Sequence, residues 1–357
     1  MRVVAVSAID FPVPLIEPFR ISRASVDSTR AALVRVRVEH DGRVEEGLGE
    51  AALPLGSAEG PDELLLDIAA ATPRFVGLEV DGLVAATSAL DAAGTRYTTS
   101  RAGLCSALLD AVARLRGEPL YRFLGAPQAI DLETDITLPI ADPDHLASLA
   151  VGYRARGFRS FKVKVGHCLE DDIRTLTRLA TAVPGSAIRM DANMGFDGAS
   201  AVGIVEAARA LGLVVECFEQ PCGKSDYEGM RKVRATGAPV VADESVASLA
   251  DLDDLLRERA IDGINLKFIK MGGADRCFEI GRAAQTRGLR LMVGAMIESR
   301  LGLTAMAHVA VALGGVDFVD LDTAFLLATD PWRGGMQAEG ATLRLPSDPG
   351  LGISPIS

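Results

Sequence analysis

The chain is short of basic residues. Lys and Arg number 37 against 48 Asp and Glu, so the formal net charge is −11 at pH 7. A nucleic-acid binder carries a basic footprint, and this chain does not. The sign does not exclude anionic substrates, because one bound metal inverts the local field. Long apolar runs are lacking as well. The uncharged stretch Leu301 to Leu313 is too short to span a bilayer and fits a buried helix. The opening MRVVAVSAID alternates and meets Asp10, so it reads as a strand and not as a signal peptide. The five cysteines, 105, 168, 217, 222 and 277, form no CxxC. Odd in number and sparse, they read as free thiols of a reducing cytoplasm. Four histidines, 40, 145, 167 and 308, have no metal-ligand spacing.

What is present is 48% apolar and 24% charged, an ordinary globular composition. Its 357 residues make two domains, or one large barrel with an attachment. The first part, 1–125, reads as an α+β unit. AALVRVRVEH and VEEGLGEA flank Asp41-Gly42, a hairpin signal. Helical stretches follow at Asp62–Ala71, Gly82–Ala93 and Arg101–Arg116, the last closed by Gly117. From about residue 126 to 325 the grammar changes. Eight short β-branched runs, from TDITLPI to VDFVDLD, alternate with helical stretches, which points to a (β/α)8-type barrel. Residues 326–357, rich in Pro and Gly, read as an extended tail returning to the first domain.

Polar residues end these runs at regular intervals. Lys164, Asp191, Glu219, Asp243, Lys267, the segment around Ala295 and then Asp320 follow at steps of 27, 28, 24, 24, 28 and 25 residues. That is about one βα unit each, and strand C-termini of a barrel converge on one mouth. Three acids there, Asp191, Glu219 and Asp243, would repel one another. A divalent cation resolves the repulsion, and an all-oxygen ligand set suits Mg²⁺. Taken singly, each acid reads better as the cap of a following helix, but three in regular step favour the metal site.

Lys162 and Lys164 are two apart and share a face. Lys267 ends a run four strands later, so it lies opposite Lys164 across the mouth. A poorly solvated lysine beside a dication has its pKa pushed down, towards what proton abstraction needs. The competing reading is a structural ion-pair network with the acids. Two bases facing one carbon can take a proton from one side and return it to the other, which is racemisation or epimerisation. A carboxylate held by a metal would make that carbon acidic.

SFKVKVG, MDAN, EQP, ADES and INLK, in this order, resemble the enolase superfamily, in particular its muconate-lactonising-enzyme-like subgroup. The resemblance covers nearly the whole chain. It implies a modified (β/α)7β TIM barrel with an α+β cap built from the N-terminal region and the C-terminal tail. It assigns Asp191, Glu219 and Asp243 to the metal, Mg²⁺, with Asn193 and Glu244 supporting them. It assigns Lys164 and Lys267 to proton transfer and Lys162 to neutralising the enediolate. VGAMIES carries no His, which excludes the mandelate-racemase-type branch. FVDLDTAF, with Asp320 and Asp322, resembles the DxD of the dipeptide epimerases, where the pair binds an α-ammonium. In the same relatives Thr137 and the Ile297 segment contact substrate, and an Arg in the capping loop, here Arg23, holds a glutamate side chain. An exposed loop arginine is the equal alternative for Arg23. The implied activity is an isomerase, a racemase or epimerase acting on amino-acid derivatives. The partners expected are a small dipeptide and further copies of the chain, with no nucleic acid and no membrane. The rivals are N-acylamino acid racemisation, a lyase such as o-succinylbenzoate synthase or muconate cycloisomerase, and a catalytically silent sugar- or peptide-binding barrel.

Overall fold

The computed structural model describes residues 1–21 and 24–356. Ser22, Arg23 and Ser357 lie outside the described residues, so the expectation for Arg23 has no structural counterpart. The chain opens with β1 (Arg2–Asp10), β2 (Pro14–Arg20), β3 (Ser25–Ser28), β4 (Ala31–His40) and β5 (Arg43–Ala52). Asp41 and Gly42, at φ 50° and 77°, turn β4 into β5 as the hairpin signal requires. The sheet order is β1-β4-β5, all antiparallel. Against it lie α1 (Pro61–Phe75), α2 (Leu83–Ala93) and α3 (Thr98–Arg116). Helix α1 runs past Ala71 and through Pro73. Proline costs that turn a backbone hydrogen bond, but the fully buried Phe75 holds the turn in the core.

After α4 (Leu120–Phe123) and β6 (Leu132–Glu133) comes the barrel. Its strands are β7 (Ile136–Leu138), β8 (Ser160–Lys164), β9 (Ala187–Asp191), β10 (Val214–Glu219), β11 (Val240–Ala242), β12 (Gly263–Lys267), β13 (Arg290–Gly294) and β14 (Phe318–Asp320). They pair in sequence order, all parallel. Closure comes from the Thr134–Val319 bridge and the Asp135 N–H donating to Val319 O at 3.1 Å. The connecting helices are α5 (Pro143–Ala155), α6 (Leu169–Ala182), α7 (Gly198–Ala210), α8 (Tyr227–Ala235), α9 (Leu249–Arg257), α10 (Phe268–Met271), α11 (Ala274–Thr286) and α12 (Arg300–Leu313). A 3₁₀ turn, Thr323–Leu326, follows β14 where an eighth helix would stand. The architecture is the expected (β/α)7β form.

Strand period two layers the barrel interior. Cys217, Val241, Met292 and Phe318 form an apolar plug. Two residues further along each strand stand Glu219, Asp243, Gly294 and Asp320, so the plug floors a polar mouth. The helix-cap reading of the three acids fails here. Helices α7, α8 and α9 are capped by Asp197, Asp226 and Ser248, whose side chains accept from Ser200, Gly229 and Asp251 N–H. That leaves Asp191, Glu219 and Asp243 to the mouth.

The tail crosses back over the first unit. β15 (Trp332–Gly334) pairs with β18 (Ile353–Pro355), and β16 (Gln337–Glu339) with β17 (Thr342–Arg344), which in turn pairs with β6. Gly350 O accepts from Leu120 N–H, and Asp110 on α3 accepts from Leu351 N–H at 2.7 Å. The N-terminal sheet is tied to the barrel as well. Glu50 on β5 accepts from Ser299 N at 2.9 Å and Gly302 N at 3.2 Å, placing a carboxylate at the N-terminus of α12. Arg101 on α3 binds Asp275 on α11 at 2.8 Å and Gly272 O at 2.7 Å.

Candidate active site

A cavity of about 350 Å³ lies between the barrel mouth and the first unit. Lys162, Lys164, Asn193, Asp243, Glu244 and Lys267 line its floor, with Thr137, Asp320 and Asp322 on the β7–β14 side. Ile297 lines it too. Asp191 and Glu219 lie immediately behind the lysines and are fully or almost fully buried. Every expected site residue that is described therefore gathers at this mouth.

The order of the strands sets the lysines apart. β8 and β12 are the second and sixth of eight, so Lys164 and Lys267 end opposite strands. Gly294, beside Lys267 on β13, leaves room for it: a Cβ there would stand 3.2 Å from Lys267 Cε. Lys164 Nζ lies 2.5 Å from Asp191 Oδ2. Lys267 Nζ lies 2.8 Å from Asp243 Oδ2. Between them Lys162 Nζ spans Asp191 at 3.1 Å, Glu219 at 2.7 Å and Asp320 at 2.7 Å.

These contacts bias the charge states. Burial would lower the Lys267 pKa, but the carboxylates of Asp243 and Glu219 override it and hold the ammonium above its ordinary range. Lys162 is held up in the same way by Asp320, Glu219 and Asp191 against its own burial. Carboxylates thus sit on both ammoniums and outweigh the burial that would lower them. Asp191 is held down at about 2 by Lys164 and Lys162, against its burial. Glu219 is pushed up to about 7, by burial and then by Asp191. Asp322 is pushed up to about 7, by burial and then by Asp320.

Counting shows why. The carboxyls of Asp135, Asp191, Glu219, Asp243, Glu244, Asp320 and Asp322 face Lys162, Lys164, Arg189, Lys267 and Lys270. Acids outnumber cations in this buried place, the more so because Glu216 also takes Arg189, at 2.8 Å. A dication would relieve that shortage of positive charge. One orphaned atom fits it as well: Glu244 Oε2 is buried without a hydrogen-bond partner, while Glu219 Oε2 is met by Lys162 at 2.7 Å. The donors are all carboxylate oxygens, which suits Mg²⁺. Asp191, Glu219 and Asp243 are themselves spanned by lysines. The acid oxygens that converge within 4.8 Å of one another, among the described residues, belong to Asp135, Asp320 and Asp322.

That second acid group faces the other end of the cavity. Asp322 Oδ2 accepts from Thr137 N–H at 2.5 Å, whereas its Oδ1 is buried and has no hydrogen-bond partner. Asp320 is taken by Lys162. Behind them Arg189 pairs with Asp135 at 2.9 Å.

Some site residues escape a reading of the sequence. Lys270, one helical turn beyond Lys267, binds Asp243 Oδ1 at 2.6 Å and Asn265 O at 2.8 Å. Its signal was the second lysine of INLKFIK. Asn265 donates to Glu219 Oε1 at 2.9 Å. Gln220 accepts from Asp243 and Ser245 N–H at 3.0 and 3.1 Å. Asn193, Met194 and Gln220 take positive φ, of 44°, 68° and 34°, just past the acids of β9 and β10. Such backbone strain gathers at functional sites. Asn193 Nδ2 donates to Glu244 Oε1 at 3.2 Å, and Asn193 Oδ1 accepts from Lys164 at 3.3 Å.

Residues 4–125 match the mandelate racemase/muconate lactonizing enzyme N-terminal domain, and residues 145–356 match the enolase C-terminal domain-like family. The chain belongs to the enolase superfamily. Within the superfamily it is 34% identical to the L-Ala-D/L-Glu epimerase of Bacillus subtilis, over 99% of this chain and 97% of that one. It is 36% identical to the aromatic dipeptide epimerase of Herpetosiphon aurantiacus, over 98% of each. A crystal structure of the dipeptide epimerase of Cytophaga hutchinsonii, complexed with Mg and D-Ala-L-Val, superposes with a TM-score of 0.90 at 29% identity, covering 100% of this chain and 96% of that one. No helix among the described residues is long and apolar enough to cross a membrane.

Proposed function

We propose that this protein is a dipeptide epimerase, inverting the α-carbon of the C-terminal residue by proton transfer between Lys164 and Lys267. The observation that carries the reading is the pair of lysines ending opposite barrel strands, with buried carboxylates between them. Asp191, Glu219 and Asp243 would hold Mg²⁺. Bound there, the ion supplies positive charge to the substrate carboxylate and so stabilises the charge left when the α-proton departs. Lys162, kept cationic by its carboxylates, adds to that field from the floor. For one epimer Lys164 starts as the amine and takes the proton, while Lys267 as the ammonium delivers one to the opposite face. For the other epimer the roles exchange.

The other end of a dipeptide fixes the substrate class. With the carboxylate at the acids, the α-ammonium reaches towards β14. There the unpartnered Asp322 Oδ1 is a buried acceptor suited to a cation. We assign residues 1–125 and 326–357 to the cap and 126–325 to the catalytic barrel. A cytoplasmic location accords with five free cysteines.

The test is exchange of the α-proton in D₂O for both epimers of a dipeptide. Lys267→Ala should keep exchange with one epimer and lose net inversion, and Lys164→Ala should keep exchange with the other. Wild-type rates of inversion in either variant would overturn the two-base reading.

A further inference from the structure

Two lysines reach Asp243, and they are held differently. β12 ends at Lys267 and runs directly into the single turn α10, which Gly272 closes at φ 89°. Residues three apart on such a turn share a face. Lys267 and Lys270 therefore both lie towards β11, the neighbouring strand, where Asp243 follows Ala242. Lys267 Nζ meets Asp243 Oδ2 at 2.8 Å, with Glu219 at 3.9 Å. Lys270 Nζ meets three oxygens: Asp243 Oδ1 at 2.6 Å, Asp243 O at 2.7 Å and Asn265 O at 2.8 Å. An ammonium has three N–H donors, and here each has an acceptor. The side chain is 13% exposed, so these oxygens replace the water it has lost.

Asp243 is fixed in turn. Its N–H donates to Gln220 Oε1 at 3.0 Å, Lys270 takes its carbonyl and its Oδ1, and Oδ2 is left to Lys267. The same frame reaches Glu219. Asn265, whose carbonyl holds Lys270, donates its side-chain amide to Glu219 Oε1 at 2.9 Å. Two of the three acids assigned to the metal are thus tied to β12 through one residue.

Resting on the assignment of Asp243 to Mg²⁺, we infer that Lys270 is a positioning residue, which holds the Asp243 carboxylate in one orientation by Oδ1 and so sets the metal affinity of the mouth. It is not a second base beside Lys267. A base gives up and regains a proton at the substrate. Each proton of Lys270 is spent on a backbone carbonyl or on a carboxylate, and releasing one leaves a buried acceptor without its donor. A ligating carboxylate keeps its orientation through such outer hydrogen bonds, and their loss costs about 10- to 100-fold in metal affinity. The opposite sign follows if Lys270 is only a counter-ion. Its charge would then repel the dication, and its removal would tighten Mg²⁺ binding.

The test is calorimetric titration of Mg²⁺ into the metal-free protein, without substrate, for wild type, Lys270→Met and Lys270→Gln. Methionine removes every donor. Glutamine removes the charge but keeps an amide with two N–H donors. Lys270→Met should weaken Mg²⁺ binding by about 10- to 100-fold, and Lys270→Gln by less. Binding as tight as wild type, or tighter, in Lys270→Met overturns the inference. Thermal melting in EDTA checks that each variant folds, and if Lys270→Met does not, the sign of the change in Lys270→Gln decides. A second readout is α-proton exchange in D₂O at saturating Mg²⁺ across a panel of L-Ala dipeptides, where Lys270→Met should keep the wild-type KM for the best of them. A raised dipeptide KM with unchanged Mg²⁺ affinity would place Lys270 on the substrate and overturn the positioning role. No exchange by wild type with any dipeptide overturns the epimerase reading and leaves the Mg²⁺ titration to judge Lys270.

Discussion

Replacing Glu298 by Gln should make the folded protein less sensitive to alkaline pH. Glu298 follows the Met296-Ile297 stretch of the cavity wall and is 1% exposed. Its Oε1 accepts from Met296 N–H at 2.7 Å. Glu50, itself buried and with its pKa raised, lies close enough to repel it. Burial first, and Glu50 second, push the Glu298 carboxyl up from 4.5 to about 8.

The sign follows from where the proton sits. Below pH 4.5 both folded and unfolded chains keep it. Between 4.5 and about 8 the folded chain holds a proton that the unfolded chain has released. Stability therefore falls as pH rises through that window and levels off above it. One pKa unit corresponds to about 1.4 kcal/mol, so a shift of this size costs on the order of 2–5 kcal/mol by pH 9. Glutamine keeps the acceptor for Met296 N–H and never ionises. Urea unfolding at pH 5 and pH 9, at fixed ionic strength, reads the effect. Wild type should lose about 2–5 kcal/mol more than Glu298→Gln between the two pH values. Groups other than Glu50 titrate alike in both proteins, so the difference reads Glu298 together with its coupling to Glu50. Parallel losses would show that Glu298 is ionised in the folded state, and the argument from burial would fail.

Dialysis against EDTA should abolish α-proton exchange and Mg²⁺ should restore it, because acids outnumber cations at the mouth and leave it short of positive charge. Full activity after exhaustive chelation would refute the metal. Asp322→Asn should raise KM for dipeptides by about 10- to 150-fold, the equivalent of one charge-assisted hydrogen bond of roughly 1.5–3 kcal/mol. N-acetylating the substrate should harm wild type far more than Asp322→Asn. An N-acylamino acid turned over faster than any free dipeptide would favour racemisation instead.

The barrel was legible because it repeats. Six of the eight strands end on or just before a charged residue, at spacings set by the βα unit, and alternation puts Glu219 above Cys217 and Asp320 above Phe318. Hydrophobic residues alternating with a terminal charge give the strand, its face and its end at once. Lys270 was not legible, because the chain leaves β12 in a single helical turn and four residues carry no period. Asp135 and Arg189 share an inward face with Thr137 and Asp191, yet their pairing needs the closed barrel. Strands β15 to β18 are three residues long each, and in the sequence they look like a Pro- and Gly-rich tail. The pairing of lysines with acids escaped for a different reason. A sequence shows lysines and acids, but which carboxylate lies on which ammonium is set by packing.

The two halves of the cavity are built by different parts of the chain, and that division has a consequence. The charged floor is fixed by strand ends, where each side chain is held by its sheet and by neighbours such as Asn265 and Gln220. The roof comes from β2, from the loop after β5 and from the segment around Ile297, which touch the acids nowhere in the pairings above. Substituting the roof should therefore alter which side chain is accepted while the lysines and acids keep their geometry, as expected of loops carried on a rigid scaffold. Glu50 and Arg101 make that separation workable. They anchor the first unit to α12 and α11, so the roof keeps its height over the floor. Loss of the buried Arg101 pairing leaves Asp275 uncompensated at that junction, which lowers stability. It should reach the chemistry only through the position of the roof.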